Sequence, residues 1–249
     1  MSILRLQHIG VALADHEVAV TGLKRVGLPS RDFRNDQGKG FQHDSRVLLG
    51  NECWLHIVHN WNSESRVNRF LQNRGEGLEH LALESDDIEA DVARVRDAGV
   101  PIFEDRIFDA NDGFEAFIYP EDAVGFTVEL IEPHATSWRY PDDALGLPVS
   151  ALLGTTRAQR VGAYVRDVAE ASRRFTTLFA TPPGDEPGTI ALGNVELHLQ
   201  ASADHEPGLK DLVLETEEGA TGVHELGFLT LETRAARDVQ SRRGGDKRG

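Results

Sequence analysis

The sequence predicts an α+β fold built from a repeated strand–helix–strand–strand unit, and three observations carry that prediction. A short apolar strand ending in an aspartate recurs as HIGVALAD (8–15), HLALESDD (80–87) and RVGAYVRD (160–167), with ELGFLTLE (225–232) as a weaker fourth copy. Apolar residues at helical spacing come next. Two strand-like segments then close each of the first three copies. Recurrence at such intervals points to internal duplication.

The elements follow in order. In the three clear copies the aspartates are Asp15, Asp87 and Asp167. An aspartate there can accept hydrogen bonds from the free N–H groups of a helix start. Ile88, Val92 and Val95 then give one apolar stripe stopped by Gly99, and Val168, Ala171, Phe175 and Leu178 give another. Strand-like segments follow at 45–51 and 53–60, at 114–120 and 125–133, and at 189–194 and 195–200. The Leu-Gly-Asn turns at 49–51 and 192–194 occupy matching places and read as hairpin turns, because Gly and Asn tolerate positive φ. Each unit has room for one more strand. The stretch 134–157 lacks periodicity and contains two prolines, so it reads as a linker. The tail 234–249 reads as a charged, solvated end.

Composition narrows the function. The 249 residues suffice for one large domain or two ordinary ones. A formal net charge of −15 disfavours general binding of phosphate backbones. No apolar run approaches the roughly 20 residues that span a bilayer. The start MSILRLQHIG lacks the apolar stretch of a secretory signal, so a cytoplasmic protein is expected. Cys53 is the single cysteine, which excludes an internal disulfide and multi-cysteine metal sites.

One constellation carries chemistry. His8 and His80 open the leading strands of units one and two at matching positions. His56 lies in the last strand of unit one and Glu129 in the last strand of unit two. Two related units, each donating a residue from its first strand and one from its last, can converge on one point. Three imidazoles and a carboxylate suit Zn²⁺, Co²⁺, Ni²⁺, Mn²⁺ or Fe²⁺ and do not choose among them. A lone strand histidine is most often structural; the matched positions argue for a divalent metal site at His8, His56, His80 and Glu129.

These residues resemble the vicinal oxygen chelate superfamily, which includes glyoxalase I, methylmalonyl-CoA epimerase, extradiol dioxygenases and the bleomycin- and fosfomycin-resistance proteins. The resemblance covers residues 4–133 well and 158–232 weakly. Its strongest segment, GEGLEHLALESDDIEADVARVRDAGV (75–100), is similar to methylmalonyl-CoA epimerase; HIGVAL and GFTVELIEP belong to the same pattern. LHIVHNW (55–61) is similar to the glyoxalase I segment that supplies a metal ligand. His56 stands where glyoxalase I has Glu and the epimerase Gln.

The resemblance implies paired βαβββ modules forming a curved, cup-like sheet around a metal, followed by a degenerate and truncated second pair. The implied layout is a metal-binding pair over 1–133, a linker over 134–157, a degenerate pair over 158–233 and a tail over 234–249. In the second pair Arg160 replaces His8, His198 matches His56, and Glu225 replaces His80. The counterpart of Glu129 is expected to be missing. Arginine keeps its proton in proteins, so that half is expected to hold no metal and to set Arg160 against Glu225 as a salt bridge.

The implied activity is a metal-dependent isomerase or lyase of the glyoxalase and epimerase type. Such an enzyme acts through a metal-stabilised enolate on a small oxo or acyl-CoA-type substrate. Glu129 is the first candidate for moving the proton. Glu115 and Asp44 are candidates for a second carboxylate in or beside strands expected to line the cup, and Arg46 for binding an anionic substrate group. The alternatives are an Fe(II) extradiol-type dioxygenase using His8, His80 and Glu129, and a non-catalytic, resistance-type binding protein. The expected partner is a small molecule, with neither nucleic acid nor membrane, and a homodimer is compatible with the family.

Overall fold

The structure, a computed structural model, describes residues 3–28, 30–35, 42–60, 64–110, 113–120, 122–134, 156–216 and 221–235. The first unit is β1 (Ile3–Ala12), α1 (His16–Arg25), β2 (Ser30–Asn35), β3 (Gln42–Gly50) and β4 (Cys53–Asn60). A helix, α2 (Arg66–Arg74), leads into the second unit. That unit is β5 (Gly77–Ser85), α3 (Ile88–Asp97), β6 (Phe108–Asp109), β7 (Gly113–Ile118) and β8 (Thr127–Pro133). The third is β9 (Thr156–Val165), α4 (Val168–Phe179), β10 (Thr189–Ala191) and β11 (Glu196–Ala201). The fourth is β12 (Gly208–Thr216), β13 (Gly222–Glu225) and β14 (Thr230–Ala235).

The expected α+β fold of paired modules is found. Asp15, Asp87 and Asp167 cap α1, α3 and α4 by accepting from the backbone N–H three residues on. Units one and two form an eight-stranded sheet in the order β2-β3-β4-β1-β5-β8-β7-β6. Units three and four form a six-stranded sheet in the order β10-β11-β9-β12-β14-β13. In each, the two leading strands pair antiparallel at the centre, β1 with β5 and β9 with β12. Each leading strand also pairs in parallel with the last strand of its own unit.

Alternation along these strands separates two faces. Ile9, Val11, Leu55, Ile57, Leu81, Leu83, Val128 and Leu130 turn one way. They join Val161, Ala163, Leu197, Leu212, Leu214 and Leu231 of the second sheet in one buried cluster, so the halves share a core. Phe126 beside β8 and Phe175 of α4 meet there with ring centroids 6.3 Å apart. The opposite face of the first sheet carries His8, His80 and Glu129.

Two departures from the sequence reading stand out. Residues 225–232 are not a leading strand: they span the end of β13, a turn and the start of β14. The fourth unit leads with β12, and no helix follows it among the described residues. The second departure is α2, a short helix whose one apolar stripe, Val67, Phe70 and Leu71, is missing from the sequence reading. Its Val67 packs on Ala12 and Val58, at one end of the functional face. Most of the predicted linker, residues 135–155, and the tail from residue 236 lie outside the described residues. No described helix is long and apolar enough to cross a membrane.

Candidate metal centre

The first unit places His8 through a β-bulge in β1. The register steps from Leu6 opposite Leu83 to His8 opposite Ala82, which leaves Gln7 as the extra residue. A matching bulge in β5 makes Glu79 the extra residue beside His80, which lies opposite Gly10. A bulge upsets the alternation of faces, so a residue and its predecessor can point the same way. Gly10 is required here: a Cβ would overlap the His80 ring. The β5–β8 pairing sets Glu129 opposite Ala82, one step from His80.

Three ligand atoms converge. His8 Nε2 lies 3.1 Å from His80 Nε2, and Glu129 Oε2 lies 3.4 Å from the first and 3.0 Å from the second. All three residues are buried and form a group that can hold a metal ion. The outer nitrogens are occupied. His8 Nδ1 bonds Gln7 Oε1 at 3.0 Å, and His80 Nδ1 bonds Glu79 Oε2 at 2.6 Å. Glu79 also accepts from the Arg66 guanidinium at the start of α2.

Burial pushes the His8 imidazole down to about 3 despite the nearby Glu129 carboxylate. Burial also opposes charge on His80, but the Glu79 carboxylate, with hydrogen bonds donated by the ring to Glu129 and Glu79, raises its pKa above the usual value. Burial would raise Glu129, yet His8 and His80 hold it well below the carboxylate range. A divalent cation between His8 Nε2, His80 Nε2 and Glu129 Oε2 would meet two imidazole nitrogens and a carboxylate, the borderline and hard donors that first-row metals accept.

The other expected residues fall around this group. His56 lies opposite Gly10 in the parallel β1–β4 pair, with its ring centroid 5.1 Å from that of His8, outside the three-residue group. Arg46 is buried, lies opposite His56, and sets its guanidinium carbon 6.0 Å from the Trp54 ring. Trp54 stacks on His8 at 5.8 Å. Glu115 pairs with Ile131 and shares a strand face with Phe117, two residues on and so about 7 Å away along β7. Phe117 meets His80 edge-on and carries the Arg66 guanidinium over its ring. Asp44 lies opposite Val58 in register, and its side chain is outside the described residues. Sequence reasoning missed Gln7, Glu79 and Arg66. No local signal marks the bulges, whereas the spacing of Val67, Phe70 and Leu71 is a signal for α2 and so for Arg66.

The second sheet corrects the expected correspondences. Gly162 lies opposite Asp211, as Gly10 lies opposite His80, so Asp211 and not Glu225 takes the place of His80. Glu232 lies opposite Val213, as Glu129 lies opposite Ala82, so the counterpart of Glu129 is present. Arg160 faces Glu232 at 3.9 Å, not Glu225, whose carboxylate accepts from Thr230 at 2.8 Å. The cause is the same: β12, and not residues 225–232, is the leading strand of the fourth unit.

A cavity of about 450 Å³ opens between units two and four. Glu79 and Lys210 line it, and His8, His80 and Glu129 do not.

Residues 7–117 match the Glyoxalase/Bleomycin resistance protein/Dioxygenase superfamily. The chain carries a domain of that superfamily. Beyond the matched segment, the glyoxalase-type fold extends over most of the chain. A mutant 4-hydroxymandelate synthase from Streptomyces coelicolor aligns with 88% of this chain and 72% of its own, at 14% identity and a TM-score of 0.64. Methylmalonyl-CoA epimerase from Mycobacterium tuberculosis aligns at 27% identity with 53% of this chain and 89% of its own, with a TM-score of 0.47. A Streptomyces coelicolor methylmalonyl-CoA epimerase variant in complex with 2-nitronate-propionyl-CoA aligns at 26% identity with 54% of this chain and 100% of its own, also at 0.47. No curated protein matches the chain.

Proposed function

We propose that this glyoxalase-type chain is a divalent-metal-dependent isomerase or epimerase acting on a small oxo or acyl-thioester substrate through an enolate. One observation carries the reading: two imidazole nitrogens and one carboxylate converge in a buried site while the outer nitrogen of each imidazole is already bonded. A bound cation would polarise a substrate carbonyl and stabilise the enolate oxygen. The chain's own residues do the rest. His8 and His80 present Nε2 inward. Glu129, held ionised, takes and returns the proton next to the carbonyl, with Glu115 as the second candidate carboxylate. Arg46, on the His56 side of His8, holds an anionic substrate group, and Asp44 belongs to the same strand. Trp54 and Phe117 keep water from the reacting carbon.

The second reading is an Fe(II) oxygenase, and His56 is the observation that favours it. With His56 outside the group, two histidines and one carboxylate remain, which is the facial triad of such enzymes. One experiment separates the two. The metal-loaded protein is incubated in deuterated buffer with acyl-thioesters and, separately, with catechols under Fe²⁺ and oxygen. Deuterium entering next to the carbonyl without oxygen uptake supports the isomerase. Oxygen consumption with a catechol replaces it with the oxygenase. Ligand binding without either reaction leaves a resistance-type binding protein.

A further inference from the structure

We propose that Glu79 is a positioning residue for the metal site, made to act on His80 by its bulge and held there by Arg66 of α2. This rests on the metal-site reading above. The bulge turns Glu79 and His80 to the same side of β5, so the Glu79 carboxylate lies 2.6 Å from His80 Nδ1. Glu79 is itself buried and ion-paired to Arg66, whose guanidinium lies over Phe117. Helix α2 thereby fixes the carboxylate, the carboxylate fixes the ring, and the ring presents Nε2 to Glu129.

The two histidines are not equivalent. His8 Nδ1 meets the neutral amide oxygen of Gln7, while His80 Nδ1 meets a carboxylate. A carboxylate accepting from the outer N–H makes an imidazole a stronger donor through its other nitrogen. His80 is therefore the dominant imidazole ligand and Glu79 the source of the difference. The second sheet supports the assignment. There the bulge residue is Lys210, and its ammonium lies 2.8 Å from Asp211, the residue in His80's place. In both sheets the bulge residue reaches the side chain of the residue that follows it.

The test is metal affinity, read by titrating the metal-free protein with Zn²⁺ against a chromophoric chelator, together with the visible spectrum of the Co²⁺ form. Glu79→Gln is expected to weaken binding about 10–100-fold and to shift the Co²⁺ bands. Gln7→Glu, which gives His8 the same kind of partner, is expected to tighten binding several-fold, a gain that misfolding cannot produce. Because Glu79→Gln leaves Arg66 buried without its partner, the double variant Glu79→Gln/Arg66→Met is the control. It is expected to recover thermal stability while affinity stays low. Wild-type affinity and an unchanged Co²⁺ spectrum in the double variant would overturn the role of Glu79 and leave the metal site standing. Failure of the unaltered protein to bind Zn²⁺ or Co²⁺ would overturn the metal site, and this inference with it.

Discussion

Asn51 and Asn194 join the two halves through matching sets of three hydrogen bonds, one set reaching from each half into the other. The Asn51 amide accepts from Ala158 N–H at 3.0 Å and donates to the carbonyls of Ala158 and Asn194 at 3.0 and 2.8 Å. The Asn194 amide accepts from Leu6 N–H at 3.0 Å and donates to the carbonyls of Leu6 and Asn51 at 3.0 and 2.8 Å. Leu6 precedes the bulge of β1 and Ala158 that of β9, where the register skips Gln7 and Gln159. The clasp thus meets the backbone beside each bulge, where the sheet ladder is interrupted.

Replacing either asparagine with alanine strands backbone groups at the join. Asn51→Ala and Asn194→Ala are each expected to lower stability by about 2 kcal/mol. The loss should be larger at Asn51, which also sits at φ 40°. The double variant should lose less than the sum, because the residues bond each other. Denaturant midpoints measure all three. A neutral Asn194→Ala would rule out the clasp as a stabilising contact.

Gly10 and Gly162 offer a matched pair. A Cβ at Gly10 would strike the His80 ring, and one at Gly162 would strike the Asp211 carboxylate. Both Gly→Ala variants are expected to cost about 1–3 kcal/mol from overpacking. Only Gly10→Ala should also lose metal affinity. Equal metal affinity in the two variants would contradict the placement of the site in the first sheet.

The ligands separate by substitution. His80→Ala is expected to abolish metal binding and activity together. Glu129→Gln should lose more turnover than metal, since an amide can coordinate but cannot carry the proton. His56→Ala should reduce affinity less than either His8→Ala or His80→Ala, because His56 lies outside the converging group. Equal losses for the three histidines would restore His56 as a full ligand.

Acid stability should report the Arg66–Glu79 pair. Burial alone would raise the Glu79 carboxyl, but Arg66 and His80 bring it down to about 2, against an ordinary 4.5. A carboxyl lowered on folding contributes stability above its unfolded pKa and loses it as pH falls through the folded one. In the chelator-treated protein, Glu79→Gln should flatten the part of the stability curve between about 4.5 and about 2. Glu129 contributes to the same limb, so some slope should remain.

The Cys53 thiol should be silent in the native protein. It is fully buried, and burial pushes it up to about 12. Labelling with a thiol-specific disulfide reagent should proceed only on unfolding. Rapid native labelling would contradict the packing of β4.

The sequence by itself determined the repeated units, the three aspartate caps, the two Leu-Gly-Asn turns, and the candidacy of His8, His80 and Glu129. Each of these is set by local spacing: period two for a strand face, 3.6 for a helix stripe, and small polar residues at ends and turns. Only the tertiary structure decided the rest. Strand pairing showed that β12 leads the fourth unit, that Asp211 and Glu232 stand in place of His80 and Glu129, and that His56 sits one step from the converging group. Bulges changed the parity of β1 and β5, bringing Gln7 and Glu79 to the functional face against the alternation their neighbours suggest. Arg66 reached that face from α2, whose Val67, Phe70 and Leu71 stripe marks a helix but does not say which strand its first residue meets. Periodicity fixes which way a side chain points relative to its own strand. Which distant side chains meet depends on register, and register follows from how the two halves bury their common core.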